Sequence, residues 1–343
     1  MLKIRPILME VCFQITLLSL VAAPLTPAQD AADMQTDKIF MRAADLADIR
    51  ATNQAFELQG RIAIIGKNGK SQDGTYMLLW ASQTRWHEEI NLLGYRRIRF
   101  GDVGKYWQVR NTAYEPEAVR QLDDMLRFVS ALRRLSRPPV TTKQKKLGGE
   151  PIICAETSST EYCFDSKEGA LIREQWRSGK FSALSYENYM PFGTVRFPRT
   201  IRTFAGHKAI ITFDVDKLVP LPEVGATVFT HPESAESWDF CPNSTPPMLT
   251  NRELPRKPDN DRDRTGTVSL YGVIASDGIL QKIKVLDSSN ENLTVAAVDA
   301  VQKWKFKPAM CGDTLLRTET QIDVLFGQTE IETAQRMFDS QPW

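Results

Sequence analysis

Few side chains in this sequence are of the types that carry out chemistry. Its 343 residues contain three histidines, His87, His207 and His231, which leaves little for a histidine metal site or a proton relay. His87 opens the run His87-Glu88-Glu89, but a zinc-binding helix needs a second histidine four residues on, where Asn91 stands. His207 follows Gly206 in an expected turn, and His231 precedes Pro232. Gly66 and Gly69 border a turn and lack the Gly-Lys-Ser/Thr ending of a phosphate loop, and no Gly-x-Ser-x-Gly elbow occurs. Asp261 and Asp263 belong to a charged run that reads as a solvated face. These residues predict no catalytic group, no cofactor and no metal, and a protein that is not an enzyme.

The cysteines are more informative. Cys12 lies in a leader-like stretch: Lys3 and Arg5 are basic, Val11–Ala23 is largely apolar, and a small-residue, Pro-containing segment runs to Gln29. That is the layout of a secretory signal peptide over residues 1–29, too short in its apolar part for a comfortable membrane span. Export to the periplasm is expected. The alternative is an uncleaved N-terminal helix that anchors the chain in the inner membrane. Cleavage would leave an even set, Cys154, Cys163, Cys241 and Cys311, suited to an oxidising compartment. Cys154 and Cys163 flank a polar run that reads as a hairpin tip, which favours their pairing and leaves Cys241 for Cys311. A zinc site competes, but it lacks a Cys-x-x-Cys pair and a nearby histidine.

Composition narrows the class further. Lys+Arg number 43 against Asp+Glu 42, 42% of residues are hydrophobic, and mean hydropathy is −0.31. This excludes a disordered polyelectrolyte and a multi-span membrane protein, and gives no reason to expect nucleic-acid binding.

The elements that must carry these residues follow from periodicity. Ile39, Phe40, Ala43, Ala44, Leu46, Ala47 and Ile49 form a helical stripe over 37–53. Period-two strands follow through Phe56–Ile64, Tyr76–Ala81, Trp86–Leu92, Tyr95–Phe100 and Tyr106–Arg110. Pro116 starts a second amphipathic helix that runs to about Leu135, and Ser136–Gly149 reads as a solvated loop. Short strands between 151 and 215 continue an antiparallel meander curling towards a barrel. Prolines crowd 219–263, which reads as a semi-extended linker. Residues 264–328 read as strand, turn at Asp277-Gly278, strand, helix from Asn292, and strand Thr318–Phe326, with 329–343 as a tail. The expected class is α+β: an antiparallel half-barrel domain over 37–218, then a small β-β-α-β domain.

The last unit resembles the TonB C-terminal domain family. The resemblance rests on Gly266-Thr267-Val268, Asp277-Gly278, Val285–Ser289, Ala296-Ala297-Val298 and the run Ala300–Ala309, in which Lys303, Lys305 and Lys307 alternate with Trp304 and Phe306. It implies a module that docks a partner by strand addition, such as an outer-membrane receptor or another envelope protein, in transport across the envelope. Thr318, Thr320, Ile322, Val324 and Phe326 mark the strand expected to offer the edge. The first domain resembles the LolA/LolB-type lipoprotein carrier fold through Phe56–Gly60, Tyr76–Trp80, Trp86–Ile90 and Tyr186–Ile201. That implies an apolar concave face for a lipid or lipoprotein, with Phe56, Leu58, Leu78, Trp80, Trp86, Ile90 and Leu92 lining it. The same residues equally read as ordinary core, which would leave a periplasmic scaffold without a ligand.

Overall fold

Alternation of buried and solvated side chains, with Gly or Asx turns between runs, builds most of this chain. The computed structural model describes residues 38–327 apart from 67–68, 136–140, 178–181, 224, 242–243 and 258–264, together with the backbone of 331–337. The expected leader, 1–29, lies outside the described residues.

Helix α1 (38–47) leads through a 3-10 turn, Ile49–Thr52, into β1 (Phe56–Ile65). Strands β2 (Ser71–Ser82), β3 (Arg85–Leu92), β4 (Tyr95–Asp102) and β5 (Lys105–Arg110) follow. Helices α2 (Glu117–Leu126) and α3 (Phe128–Arg134) come next, then β6 (Thr141–Leu147), β7 (Glu150–Glu156), β8 (Thr160–Asp165), β9 (Leu171–Trp176) and β10 (Ala183–Glu187). A small hairpin, β11 (Met190–Phe192) and β12 (Val195–Phe197), precedes β13 (Thr200–Ala205) and β14 (Lys208–Pro220). With β15 (Glu236–Asp239), the larger strands form one antiparallel sheet of 13, ordered β15-β5-β4-β3-β2-β1-β14-β13-β10-β9-β8-β7-β6. The β1–β14 pairing bulges at Gln59/Gly60, where a Cβ on Gly60 would lie 2.5 Å from the Phe213 ring. Only glycine allows that approach.

The inner face of this sheet is filled. Phe56, Leu58, Leu78 and Ile90 are fully buried, Trp80 and Trp86 nearly so, and Leu92 packs half-buried against the same cluster. Helix α1 seats Phe40 edge-on against Tyr162 and Phe164, each at 5.4 Å, and α3 places Phe128 4.8 Å from Tyr186. The seven residues named for an apolar cavity are therefore core. Three helices carry enough apolar surface to cover the sheet, with Val119, Leu122, Met125 and Leu126 on α2 and Val129 and Leu132 on α3 all buried.

Other expectations are corrected in place. The second helix is two, divided at Arg127. The expected loop contains β6, which pairs with β7 although all seven of its side chains are exposed. An edge strand solvated on both faces has no buried stripe to reveal it. The Pro-rich linker is partly built into the fold: β15 pairs with β5, and β16 (Met248–Asn251) pairs with β19 (Lys305–Lys307). Its prolines bound these short strands, and between them Trp238 supplies an apolar anchor, buried beside Tyr106.

The C-terminal region forms a four-stranded sheet ordered β18-β17-β22-β23, from β17 (Gly266–Ile274), β18 (Leu280–Ser288), β22 (Thr318–Phe326) and β23 (Ile331–Met337). Helix α4 (Glu291–Val301) follows β18, and a hairpin of β20 (Ala309–Cys311) and β21 (Thr314–Leu316) precedes β22. Strand β22, expected as the free edge, lies inside the sheet: Thr318, Thr320, Ile322, Val324 and Phe326 all pair with β17, and β23 pairs from Thr320 to Phe326 on the other side. The segment assigned as a tail satisfies the backbone groups that the expected edge would have left open.

Both cysteine pairs are bonded as the hairpin reading favours, Cys154 to Cys163 and Cys241 to Cys311. One buried carboxylate offers a pH test of the core. Burial pushes Glu174 up from 4.5 to about 7, partly opposed by the Tyr186 hydroxyl, which donates to Glu174 Oε1 at 2.6 Å. A carboxylic acid whose folded value is raised gives its full stabilisation below the unfolded value and loses it as pH rises through the folded one. The Glu174→Gln variant should therefore match the parent near pH 4 and exceed its stability at pH 8 by up to about 3 kcal/mol. Urea unfolding at the two pH values measures this; equal differences at both would reject it.

Candidate functional site

The C-terminal sheet is built to present one covered face and one buried polar face. Asn290 caps α4, its Oδ1 accepting from the Asn292 and Leu293 amides at 2.8 and 3.2 Å. That cap directs Leu293, Ala297 and Val301 onto Val268, Leu270, Ile322, Val324 and Phe326, all buried in one cluster with Trp304. Trp304 Nε1 donates to the Glu253 carbonyl at 2.8 Å, and Lys303 Nζ reaches Glu253 at 2.6 Å. The basic-aromatic run thus ends the helix by clamping it to the preceding segment. At the Asp277-Gly278 turn, φ of +79° and a Phe306 carbonyl 2.0 Å from an added Cβ require glycine.

The opposite face carries Tyr271, Glu319, Gln321 and Asp323, and it packs on the first sheet's region. The Arg110 guanidinium pairs with Glu319 and donates to the Tyr271 hydroxyl at 3.2 Å, while Tyr271 donates to Glu319 at 2.5 Å. Arg120 donates to Gln321 Oε1 at 2.7 Å, and Gln321 and Ser269 donate to Asp323 at 2.8 and 2.6 Å. Burial would lower the Arg110 value, but the Glu319 charge outweighs it and holds the guanidinium firmly charged. Burial, then the Glu319 charge, pushes the Tyr271 phenol up, so it stays a donor. A second latch lies at the end of the large sheet. Arg317 donates to Glu236 at 2.8 Å and to the Ser237 carbonyl at 2.6 Å, and its guanidinium sits 4.0 Å above the Trp238 ring. Lys282 reaches Glu236 at 3.0 Å.

The two edges of this sheet differ. Strand β18 pairs with β17 through register shifts at Ser269/Leu270 and Tyr271/Val273, with Lys282 at φ of 52°. Such bulges bend an edge and spoil it as a template. Strand β23 runs beside β22 over seven consecutive pairs without a shift.

A further cluster escaped the sequence reading. Arg97 and Arg99 on β4 meet Glu88 on β3, Glu115, and Asp123 on α2, all buried. Arg97 forks onto Asp123 at 2.7 and 2.8 Å and also reaches Glu115 at 2.7 Å and Glu88 at 3.0 Å. Arg99 reaches Glu115 at 2.7 Å and Gln108 at 2.9 Å. Burial pushes Glu88 up, whereas Arg97 and Arg99 overcome burial at Glu115 and hold it down. A proton on Glu88 would leave two positive and two negative charges in the cluster. The signal was present in the sequence, since Glu88 falls on the apolar face of β3 and Asp123 in the apolar stripe of α2. The geometry is that of a helix clamp, without an open substrate position.

Comparisons with known proteins give one family match and several distant structural likenesses. Residues 259–327 match the family of the Gram-negative bacterial TonB protein C-terminal. The match spans β17, β18, α4 and β22 and ends before β23. Among solved structures, a LolA superfamily protein from Nitrosomonas europaea is similar over 58% of this chain and 97% of its own, at 10% identity and a TM-score of 0.36. A DUF1329 family protein from Desulfovibrio piger covers 58% of this chain and 98% of its own, at 9% identity and 0.38. The MucA/MucB complex of Pseudomonas aeruginosa is similar over 88% of this chain and 92% of its own, at 10% and 0.22. No curated protein matches the sequence.

Proposed function

We propose that this chain is a non-enzymatic protein of the bacterial envelope, exported to the periplasm, that docks an extended segment of an envelope partner on its TonB-type sheet. The domain division taken for it is an antiparallel half-barrel up to about residue 218 and a β-β-α-β unit from about 264, the latter extended by β23. The match of residues 259–327 carries the reading. The regular strand β23 supplies the place: among the described residues no strand pairs with its outer side, and an unbulged edge accepts a further strand. The helix covers one face and the Arg110 and Arg120 contacts bury the other, which leaves the edges for a partner. The filled inner face of the large sheet favours a docking or scaffold role over carriage of a lipid there. Among the described residues no helix is long and apolar enough to cross a membrane.

The test uses the chain from residue 30 onward, titrated with N-terminal peptides of outer-membrane receptors from the same organism and followed by amide NMR. The largest shifts should fall on Ile331–Met337, and truncation after Gly327 should abolish them. Shifts confined to α4, or no response to any receptor peptide, would overturn strand docking. Shifts on Leu280–Ser288 would move the contact to the opposite edge.

A further inference from the structure

The face of the large sheet turned away from its core carries a cleft of about 670 Å³. Directly paired residues share a face, so Cys154, Cys163, Arg173, Ser185 and Arg202 form one row across β7, β8, β9, β10 and β13. The neighbouring row, Ala155, Tyr162, Glu174, Leu184 and Thr203, is buried along its whole length, whereas in the first row only the two cysteines are. Strand β9 bulges between its partners Leu171 and Arg173. The extra residue, Ile172, packs against Ile152 and the Cys154–Cys163 pair beside Arg173. The cleft is lined by Leu147, Ile172, Arg173, Ser185, Phe204 and His207 among others.

The charges in this cleft do not cancel. Glu187 accepts from Ser185 Oγ at 2.8 Å and is paired with Arg202, so its charge is compensated. The Arg173 side chain is half-buried and, among the described residues, makes no ion pair, hydrogen bond or ring contact, and the exposed His207 ring makes none either. The unmatched charge is therefore positive. Beside it stand Leu147, Ile172 and Phe204, and the volume falls within the roughly 300–1,000 Å³ usual for small-molecule sites. A guanidinium fork next to apolar walls selects a ligand with a carboxylate or phosphate at one end and hydrocarbon behind it.

We propose that this cleft binds a single-chain anionic amphiphile, with the acid group on Arg173 and the chain against Ile172, Phe204 and Leu147. None of the seven residues named for an apolar cavity lines this cleft, and the site does not depend on strand docking at the C-terminal sheet. The disulfide fixes β7 to β8 beside Arg173, so the cleft exists before its ligand arrives.

The test is a fluorescence titration of the chain from residue 30 onward with cis-parinaric acid. Hexadecanoic acid, hexadecanol and lysophosphatidylglycerol then compete with the bound probe. Saturable one-to-one binding is expected, with the acid or the lysolipid competing at least about tenfold better than the alcohol. Arg173→Gln should remove that preference while alcohol competition stays the same. Ser185→Trp should block the probe, with unchanged circular dichroism as the check on folding. Preference for the lysolipid assigns a phosphate head, and preference for the acid a carboxylate. Absence of saturable binding, equal competition by acid and alcohol, or an acid preference that survives Arg173→Gln overturns the proposal.

Discussion

Replacing Arg97 by Met will destabilise the protein by about 3–5 kcal/mol, the cost of leaving buried carboxylates without their cation. The guanidinium spends all four of its strong contacts on Glu88, Glu115 and Asp123, at 2.7 to 3.0 Å. Its removal leaves Arg99 alone against three carboxylates, all but sealed from water. Those carboxylates then take up protons or drag α2 off the sheet to reach water. Arg97→Lys should recover only part of the loss, because an ammonium cannot fork onto Asp123. The double variant Arg97→Met, Asp123→Leu should be more stable than Arg97→Met alone, since it removes one orphaned charge and adds an apolar side chain to the α2 stripe. Urea unfolding followed by tryptophan fluorescence measures each variant. A loss below about 1 kcal/mol for Arg97→Met would mean that water reaches the cluster, and the clamp reading would be abandoned.

The cluster also shows where sequence reasoning stops. Periodicity puts Glu88 on one face of β3 with Trp86 and Ile90, but it does not say that this face meets Asp123 of α2, nor that two arginines from β4 fill the gap between them. Local chemistry was legible where the signal is local. The Asp277-Gly278 turn, the helix expected from about Asn292 and the hairpin between Cys154 and Cys163 all follow from residues close in sequence, and all three are in place, the helix starting at Glu291. Strands that owe their existence to a distant partner were not legible. Strand β6 is solvated on both faces, β15 is four residues between prolines, and β23 is called into the sheet by β22. The last of these matters most for the proposed docking, because β23 occupies the side of β22 where the free edge was expected. The apolar face of β1 to β3 was legible as buried, yet periodicity cannot separate a filled core from an empty cavity. The difference lies in how much apolar surface α1, α2 and α3 bring to it.

Breaking the Cys241–Cys311 bridge should cost about 4 kcal/mol, and breaking Cys154–Cys163 about 2–3, if loop closure in the unfolded chain sets the scale. The first bridge spans a sequence separation of 70 and the second a separation of 9. The long loop encloses β16, β17, β18, α4 and β19, so the bridge ties the segment after β15, at the end of the large sheet, to the β20–β21 hairpin of the C-terminal region. Cys241 and Cys311 also pack with Ala309 and Leu316 in a small cluster of their own, which a serine pair would leave poorly filled. Their replacement by Ser should therefore loosen the C-terminal sheet from the large one, which it still meets through Arg317 on Trp238, Lys282 on Glu236, Arg110 on Glu319, Arg120 on Gln321 and the buried Tyr271 and Val273. The Cys154/Cys163 double variant keeps its hairpin, because β7 and β8 remain paired on both sides of the lost bridge. Thermal unfolding of the two double serine variants should then differ in kind. The Cys241/Cys311 variant should show a separate, earlier loss of protection in the amides of β17 and β22 by hydrogen exchange, while the Cys154/Cys163 variant should melt as one unit at a modestly lower temperature. Simultaneous loss of protection in both sheets of the Cys241/Cys311 variant would show that the contacts between them hold the two together without the bridge.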